Sequence, residues 1–194
     1  MSSHHLPGLS GMGYVDAVGP QKWRMDLHRN EGIEICFLEF GNMDLVIEGK
    51  SVHMQPNDMT ITRPWQEHGS GEPGWQPGRL HWLILDVGVR RPNQPFQWPD
   101  WLVLSSYDLN LLADILRRNE QPLWPADKDI GRCFKEIGKA IEQAEGSRTI
   151  SKVAVYINEL LLQIMTMLAR QPDAKDYIRS SNRRTVELFL DDLR

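Results

Sequence analysis

Residues 26–41 read DLHRNEGIEICFLEFG: a histidine, an acid six residues later, and an apolar run that stops at a glycine. The short apolar run that stops at Gly41 reads as a strand. On an extended segment His28 and Asn30 share a face, so both can point into one cavity. Three readings of the stretch are open: a metal site, a pocket for an organic ligand, or strand pairing with polar decoration. In the last, His28 and Glu34 only hydrogen-bond to each other or to nearby backbone.

The surrounding sequence has the texture of closely spaced strands up to about residue 105. QKWRMDLHR, MDLVIEG, KSVHMQ, DMTITRP and RLHWLILDVG are short alternating or apolar runs. Glu48-Gly49-Lys50 and Pro56-Asn57-Asp58 supply turn chemistry between them, and GSGEPGWQPG at 69–78 reads as a long loop. Such strands make a sandwich or a small barrel. The first residues, with His4 and His5, read as a flexible leader.

The second half is helical. Asp108 can cap LNLLADILRR, and Ile130, Phe134, Ile137 and Ile141 recur at helical spacing. After Ser151 the stripe of Val153, Ile157, Leu160, Leu161, Ile164 and Leu168 is widened by Val155, Leu162 and Met165. A helix apolar over so much of its circumference is either central in its own domain or buried against a second chain; a small barrel has no helical interior, so these six residues are expected to face a second copy of the chain. SSNRRTVELFLDDLR then opens what reads as a further helix, either folding back or leading into another domain. The expected organisation is a barrel over 1–105, a helical dimerisation segment over 106–180, and the start of a linker or DNA-binding domain over 181–194.

Composition narrows the functional classes. A formal net charge of -4 provides no positive field to hold nucleic acid. Cys36 and Cys133, far apart in apolar segments, read as buried free thiols of a reducing compartment. The chain shows no signal peptide and no charge-free stretch of membrane-spanning length, so a cytoplasmic protein without a membrane partner is expected.

Two families of chemistry fit the polar residues. His28, Glu34 and His68 form a two-imidazole, one-carboxylate set of the kind that holds iron. Alternatively, the chain has seven tryptophans, and Trp65, Trp75 and Trp82, with Arg63, Arg79, His68 and His81, are expected around the barrel mouth, where an aromatic platform and donors suit a sugar-like molecule. Strand alternation places His81 and Trp82 on opposite faces, so only one of them can look inward. Trp98 and Trp101 read as lid or packing residues.

His28-x-Asn30-x3-Glu34-x6-Gly41 resembles the first cupin motif, with Asn30 at its second histidine. NDMTITRPWQEHGSGE resembles the second, with His68 on the histidine but Asn57, Arg63, Trp65 and Glu72 departing from the pattern. With the helices and RTVELFLDDLR, the whole resembles the N-terminal half of AraC-family transcription regulators. The resemblance implies a mainly β fold with α: a cupin-like double-stranded β-helix, or jelly-roll barrel, followed by C-terminal helices. It implies a sensor rather than an enzyme, without cofactor or metal, that binds a small polar metabolite such as a sugar through His28, Asn30, Glu34, Arg63, Trp65, His68 and Trp82. It also implies a homodimer that reaches DNA only through a helix-turn-helix domain absent from this chain. The competing expectation is a metal-dependent cupin enzyme, an isomerase or dioxygenase, with His28, Glu34 and His68 as ligands.

Overall fold

A computed structural model describes residues 6–19, 25–91, 94–143 and 147–170. Seven strands precede the helices: β1 (Leu9–Ala17), β2 (Gly32–Phe40), β3 (Met43–Ile47), β4 (Lys50–Met54), β5 (Asp58–Thr62), β6 (His68–Trp75) and β7 (Gly78–Asp86). Then follow α1 (Ser106–Arg118), the short β8 (Leu123–Pro125), α2 (Lys128–Gln143) and α3 (Ser147–Ala169).

The strands form two antiparallel sheets, one in the order β1-β7-β2-β5-β8 and one in the order β4-β3-β6. Between β1 and β2 the chain also returns to the smaller sheet: His28 and His68 exchange backbone hydrogen bonds of 2.9 and 3.0 Å, and Ser70 N–H donates to the Met25 carbonyl. Counted with that segment, the eight β-segments up to β7 pair as first-eighth-third-sixth and second-seventh-fourth-fifth. This is the jelly-roll order, shared by cupins among other folds. The chain is mainly β with α-helices at its C-terminal side, as expected.

Local chemistry explains several connections. Glu48 and Gly49 both have positive φ and join the paired Ile47 and Lys50, the two-residue hairpin turn that matches strand twist. Pro56 and Asn57, the latter at φ 68°, form the centre of a turn closed by Asp58 N–H to the Gln55 carbonyl.

β2 is buried almost throughout because it is covered twice. Ile33, Ile35 and Phe37 join the core under the helices, whereas Cys36 and Leu38 join the core between the sheets. Glu34 shares the face of Cys36 and Leu38 and so points between the sheets.

Two segments differ from expectation. The stretch 69–78 is largely strand β6, because its glycines serve close backbone approach: a Cβ on Gly69 would lie 2.8 Å from the Met25 carbonyl oxygen, and one on Gly71 2.9 Å from Asp44 Cβ. Much of the expected leader is the edge strand β1, whose Gly11 and Gly13 lie beneath Trp82.

The helices cover the outer face of the larger sheet. α1 starts one turn earlier than expected: Ser105 is its N-cap, accepting from Asp108 N–H and donating its hydroxyl to Asp108. α2 sits close to the sheet at Gly131, opposite Phe37, and Phe134 stacks on that ring at 5.5 Å. α3 packs on α2. Val153, Ile157, Leu160, Leu161, Ile164 and Leu168 are all buried in the same core as Ile33, Ile35 and Phe37. These six residues therefore do not form a partner face: the outer sheet face and α2 supply the cover that a barrel alone was expected to lack. The exposed apolar residues of α3 are Val155 (64%) and Leu162 (44%). By length and composition Arg148–Ala169 is apolar enough to cross a membrane, although it carries Arg148, Lys152 and Glu159. In this fold its buried stripe lies against protein. β8 likewise ties the helical segment back to the sheet. The expectations for 181–194, for His4 and His5, and for the side chain of Trp75 lie outside the described residues.

Candidate functional site

The space between the sheets is lined by apolar side chains with Thr60 and Thr62 of β5, and holds a polar cluster around Glu34. β2 supplies Glu34, the first residue of β6 supplies His68, and the segment that crosses to β6 supplies His28 and Asn30. Glu34 and His68 are both buried. His68 Nε2 lies 2.8 Å from Glu34 Oε2, and Asn30 Nδ2 donates to the same oxygen while lying 3.3 Å from His68 Nε2. Cys36 Sγ donates to Glu34 Oε1 at 3.4 Å. The rings of His28 and His68 are 4.4 Å apart.

Each imidazole is oriented by a backbone carbonyl. His28 Nδ1 lies 2.9 Å from the Asp26 carbonyl oxygen and His68 Nδ1 lies 3.0 Å from that of Gln66. A carbonyl only accepts, so both Nδ1 atoms carry a proton, and His68 Nε2 is left facing Glu34. Burial lowers the pKa of His68, but the hydrogen bond and charge of Glu34 and the Gln66 carbonyl outweigh it and leave it raised. Burial raises the Glu34 carboxyl, and His68 with Cys36 outweighs that effect, leaving it below its ordinary value. Both shifts favour the charged forms, imidazolium beside carboxylate. Burial, followed by the Glu34 charge, pushes the Cys36 thiol well above its usual range, so it is a hydrogen-bond donor here and not a thiolate.

Trp82 faces the same inter-sheet space. On β7 it pairs across to Cys36 on β2 and to Gly13 on β1. A Cβ on Gly13 would lie 2.9 Å from Trp82 Cη2 and Cζ2, so the indole lies against bare β1 backbone. Trp82 packs with the core between the sheets. His81 turns to the outer face, where Nε2 lies 2.8 Å from Glu39 and the ring sits near Phe37, Phe134 and Tyr14. Arg79, on that same face, is clamped to Asp16.

Two of the sequence-selected residues are not brought to the cluster. Arg63 donates to the Arg117 carbonyl at the end of α1 and pairs with Glu120, and Trp65 packs on the core beneath the helices, with the Arg63 guanidinium 5.2 Å from its ring centre. Trp65 therefore does not crowd the His28–Glu34–His68 cluster. Trp98 packs on Phe96, and Trp101 donates to the Pro7 carbonyl. Residues that the sequence did not single out include Gly11, Gly13 and Gln66. A Gly-x-Gly on a strand facing a tryptophan is a readable signal; a carbonyl that orients an imidazole is not.

The surface clefts lie elsewhere. One of about 200 Å³ is lined by Tyr14, Glu39, Arg79, His81, Lys135 and Glu142 among others, and a shallower one of about 570 Å³ runs along α2. Arg79, Lys135 and Lys139 there are already paired with Asp16, Glu39 and Glu136. The hydrogen-bonding chemistry favours the interior cluster as the candidate site.

A metal fits the donor set. His28, Glu34 and His68 each offer a ligand atom, and these atoms lie within 4.8 Å of one another. Imidazoles oriented through Nδ1 by carbonyls are the usual outer support of such sites.

No protein-family model and no curated protein matches the chain. Solved structures that resemble it include the cupin domain of Cnp3 from Schizosaccharomyces pombe, at 11% identity and TM-score 0.33 over 38% of this chain and 53% of that one. KdgF from Halomonas sp. resembles it at 15% and 0.32 over 37% and 64%. A predicted oxalate decarboxylase from Thermotoga maritima does so at 20% and 0.34 over 38% and 64%. The chain thus spans between half and two thirds of these proteins. Resemblance this distant carries no argument about chemistry; the jelly roll rests on the strand order.

Proposed function

We propose that the chain is the effector-sensing and dimerisation part of an AraC-like transcription regulator, with a small polar metabolite such as a sugar bound at the interior cluster. The observation that carries this reading is the hydrogen-bonded set of part-buried Asn30 with buried Glu34 and His68 between the sheets, with His28 beside it and Trp82 facing the same inter-sheet space. A ligand with hydroxyls exchanges with the Glu34–His68 bond, and an apolar ligand face suits the indole. Arg63 and Trp65 leave the expected ligand set because they serve α1 and the outer core.

A partner surface is also supported, at a different place from the buried stripe. Of the seven exposed large apolar residues among those described, Val155 and Leu162 lie on α3, and Val103 and Tyr107 lie at the start of α1. Val103 N–H donates to Asn158 on α3, which joins the two regions. DNA contact falls to a helix-turn-helix domain outside this chain.

The reading is tested by titrating the protein with a panel of monosaccharides and polyols while following tryptophan fluorescence. A saturable response in wild type that is lost in Trp82→Ala and weakened in Glu34→Gln supports it. A panel-wide absence of response, with unchanged thermal stability, counts against it.

The ligand-atom geometry of His28, Glu34 and His68 favours a second reading, a metal-dependent enzyme. A divalent ion held by these three supplies Lewis-acid polarisation of a substrate carbonyl. The protein's own part is to orient both imidazoles through Asp26 and Gln66 and to offer the Asn30 amide beside them. Near-unit iron, manganese, nickel or zinc in purified protein, lost in His28→Ala or His68→Ala, would move the assignment to this reading.

A further inference from the structure

Arg63 and Gln66 are buried polar residues between the interior cluster and the helix layer. They form a tight turn closed twice: Gln66 N–H donates to the Arg63 carbonyl at 3.0 Å, and Arg63 N–H donates to Gln66 Oε1 at 2.9 Å. At one end of this turn the Gln66 carbonyl holds His68 Nδ1. At the other, Arg63 Nη1 donates at 3.0 Å to the carbonyl of Arg117, in the last turn of α1. The last carbonyls of a helix have no partner within it, and a cation there is favoured by the helix dipole. A continuous buried chain thus runs from Glu34 through His68, Gln66 and Arg63 to the C-terminal end of α1.

We propose that the Arg63–Gln66 turn couples the interior site to the helix layer, with Arg63 as the positioning residue for the end of α1. The proposal rests on the reading of the cluster as a binding site. A ligand that takes over Glu34 or His68 Nε2 must reorient a rigid imidazole, and the carbonyl bound to the opposite side of that ring moves with it. The two reciprocal bonds make the turn shift as a unit, and a close-packed surrounding passes the shift to the Arg117 carbonyl rather than absorbing it. The exposed Val103 and Tyr107 lie at the opposite, N-terminal end of α1, a helix length from Arg117. A purely local capping role for Arg63 predicts that changes at His68 leave α1 untouched.

Amide hydrogen exchange of the whole chain separates the two. His68→Ala is expected to accelerate exchange of residues 112–119 by about fivefold or more, with residues 130–140 of α2 unchanged. Arg63→Met accelerates the same peptide, and in that background His68→Ala adds less than roughly twofold, the non-additivity of residues that act through one another. Exchange at 112–119 that is unmoved by His68→Ala, or a double variant showing the product of the two effects, overturns the proposal. If far-UV circular dichroism shows that His68→Ala or Arg63→Met is unfolded, Glu34→Gln or Arg63→Lys replaces it under the same criteria. No ligand enters the measurement. A failed effector screen therefore sinks the sensing reading without touching this result, and the reverse also holds.

Discussion

Leu161 and Leu162 are neighbours on α3 with opposite fates, and their comparison tests how that helix is rotated. Leu161 is 1% exposed in the core beneath the helices, whereas Leu162 is 44% exposed. Truncating a fully buried leucine removes its transfer free energy and leaves a cavity, so Leu161→Ala should cost about 2–5 kcal/mol. Leu162 has only about half its surface to lose. Half of the roughly 1.5–3 kcal/mol for full burial sets an upper figure near 1–1.5 kcal/mol for Leu162→Ala. Against a total stability of about 5–15 kcal/mol, the first is a large fraction and the second is small. Urea denaturation followed at 222 nm reads both, provided the slopes match wild type. With glutamate in place of alanine the contrast sharpens: Leu161→Glu buries an unpaired carboxylate and should not fold, while Leu162→Glu should fold and shift any dimer toward monomer in sedimentation velocity. A folded, monomeric Leu161→Glu, or a Leu161→Ala no more costly than Leu162→Ala, would refute this rotation.

Gly13→Ala should displace the Trp82 indole at an overpacking cost of about 1–3 kcal/mol, whereas Gly11→Ala, with its nearest neighbour at 3.5 Å, should be mild. Near-UV circular dichroism and the urea midpoint check this, and an unaltered tryptophan band in Gly13→Ala would contradict the packing described. The His81–Glu39 contact under α2 predicts acid sensitivity. Burial, with Arg79 and Lys135, lowers the His81 pKa below its ordinary 6.5 despite Glu39; burial raises Glu39, but His81 and Lys135 leave it below 4.5. Both groups have folded values below their unfolded ones, so the stability tied to them is complete above the unfolded values. It is lost as pH falls, first from about 6.5 through His81 and then below about 4.5 through Glu39. His81→Gln should remove the upper step in a series of urea midpoints; a wild-type midpoint that rises on acidification from pH 7 to pH 5 would show that another group dominates.

The residues that carry the candidate site were partly legible. His28, Asn30, Glu34 and His68 stand out because imidazole and carboxylate beside an apolar strand have few inexpensive structural roles, and the fold does gather them. Strand alternation sets Trp82 and His81 on opposite faces, and only the packing of β7 decides that Trp82 is the one between the sheets. Arg63 and Trp65 were misplaced for an identifiable reason: they follow β5 directly, and whether a side chain after a strand end turns inward or outward depends on the turn it enters. Here Gln66 closes that turn and α1 offers an unpaired carbonyl to the guanidinium. β6 was misread because glycine usually signals a loop, whereas Gly69 and Gly71 are required by neighbouring backbone.

Local chemistry suffices for the hairpin at Glu48-Gly49, the turn at Pro56-Asn57, the helical periodicity of α2 and the change from strands to helices, because each depends on backbone preferences or side-chain spacing within one turn or strand. The same spacing shows that α3 is apolar over most of its circumference. It does not show what covers it, since a stripe has the same period whether it meets a second chain or the chain's own sheet. That choice lies in the long-range packing, where α2 and the outer face of the larger sheet enclose Val153 through Leu168 and leave Val155 and Leu162 outside. The contact between His68 and Glu34, 34 residues apart, likewise exists only because the jelly-roll order brings β6 across from β2.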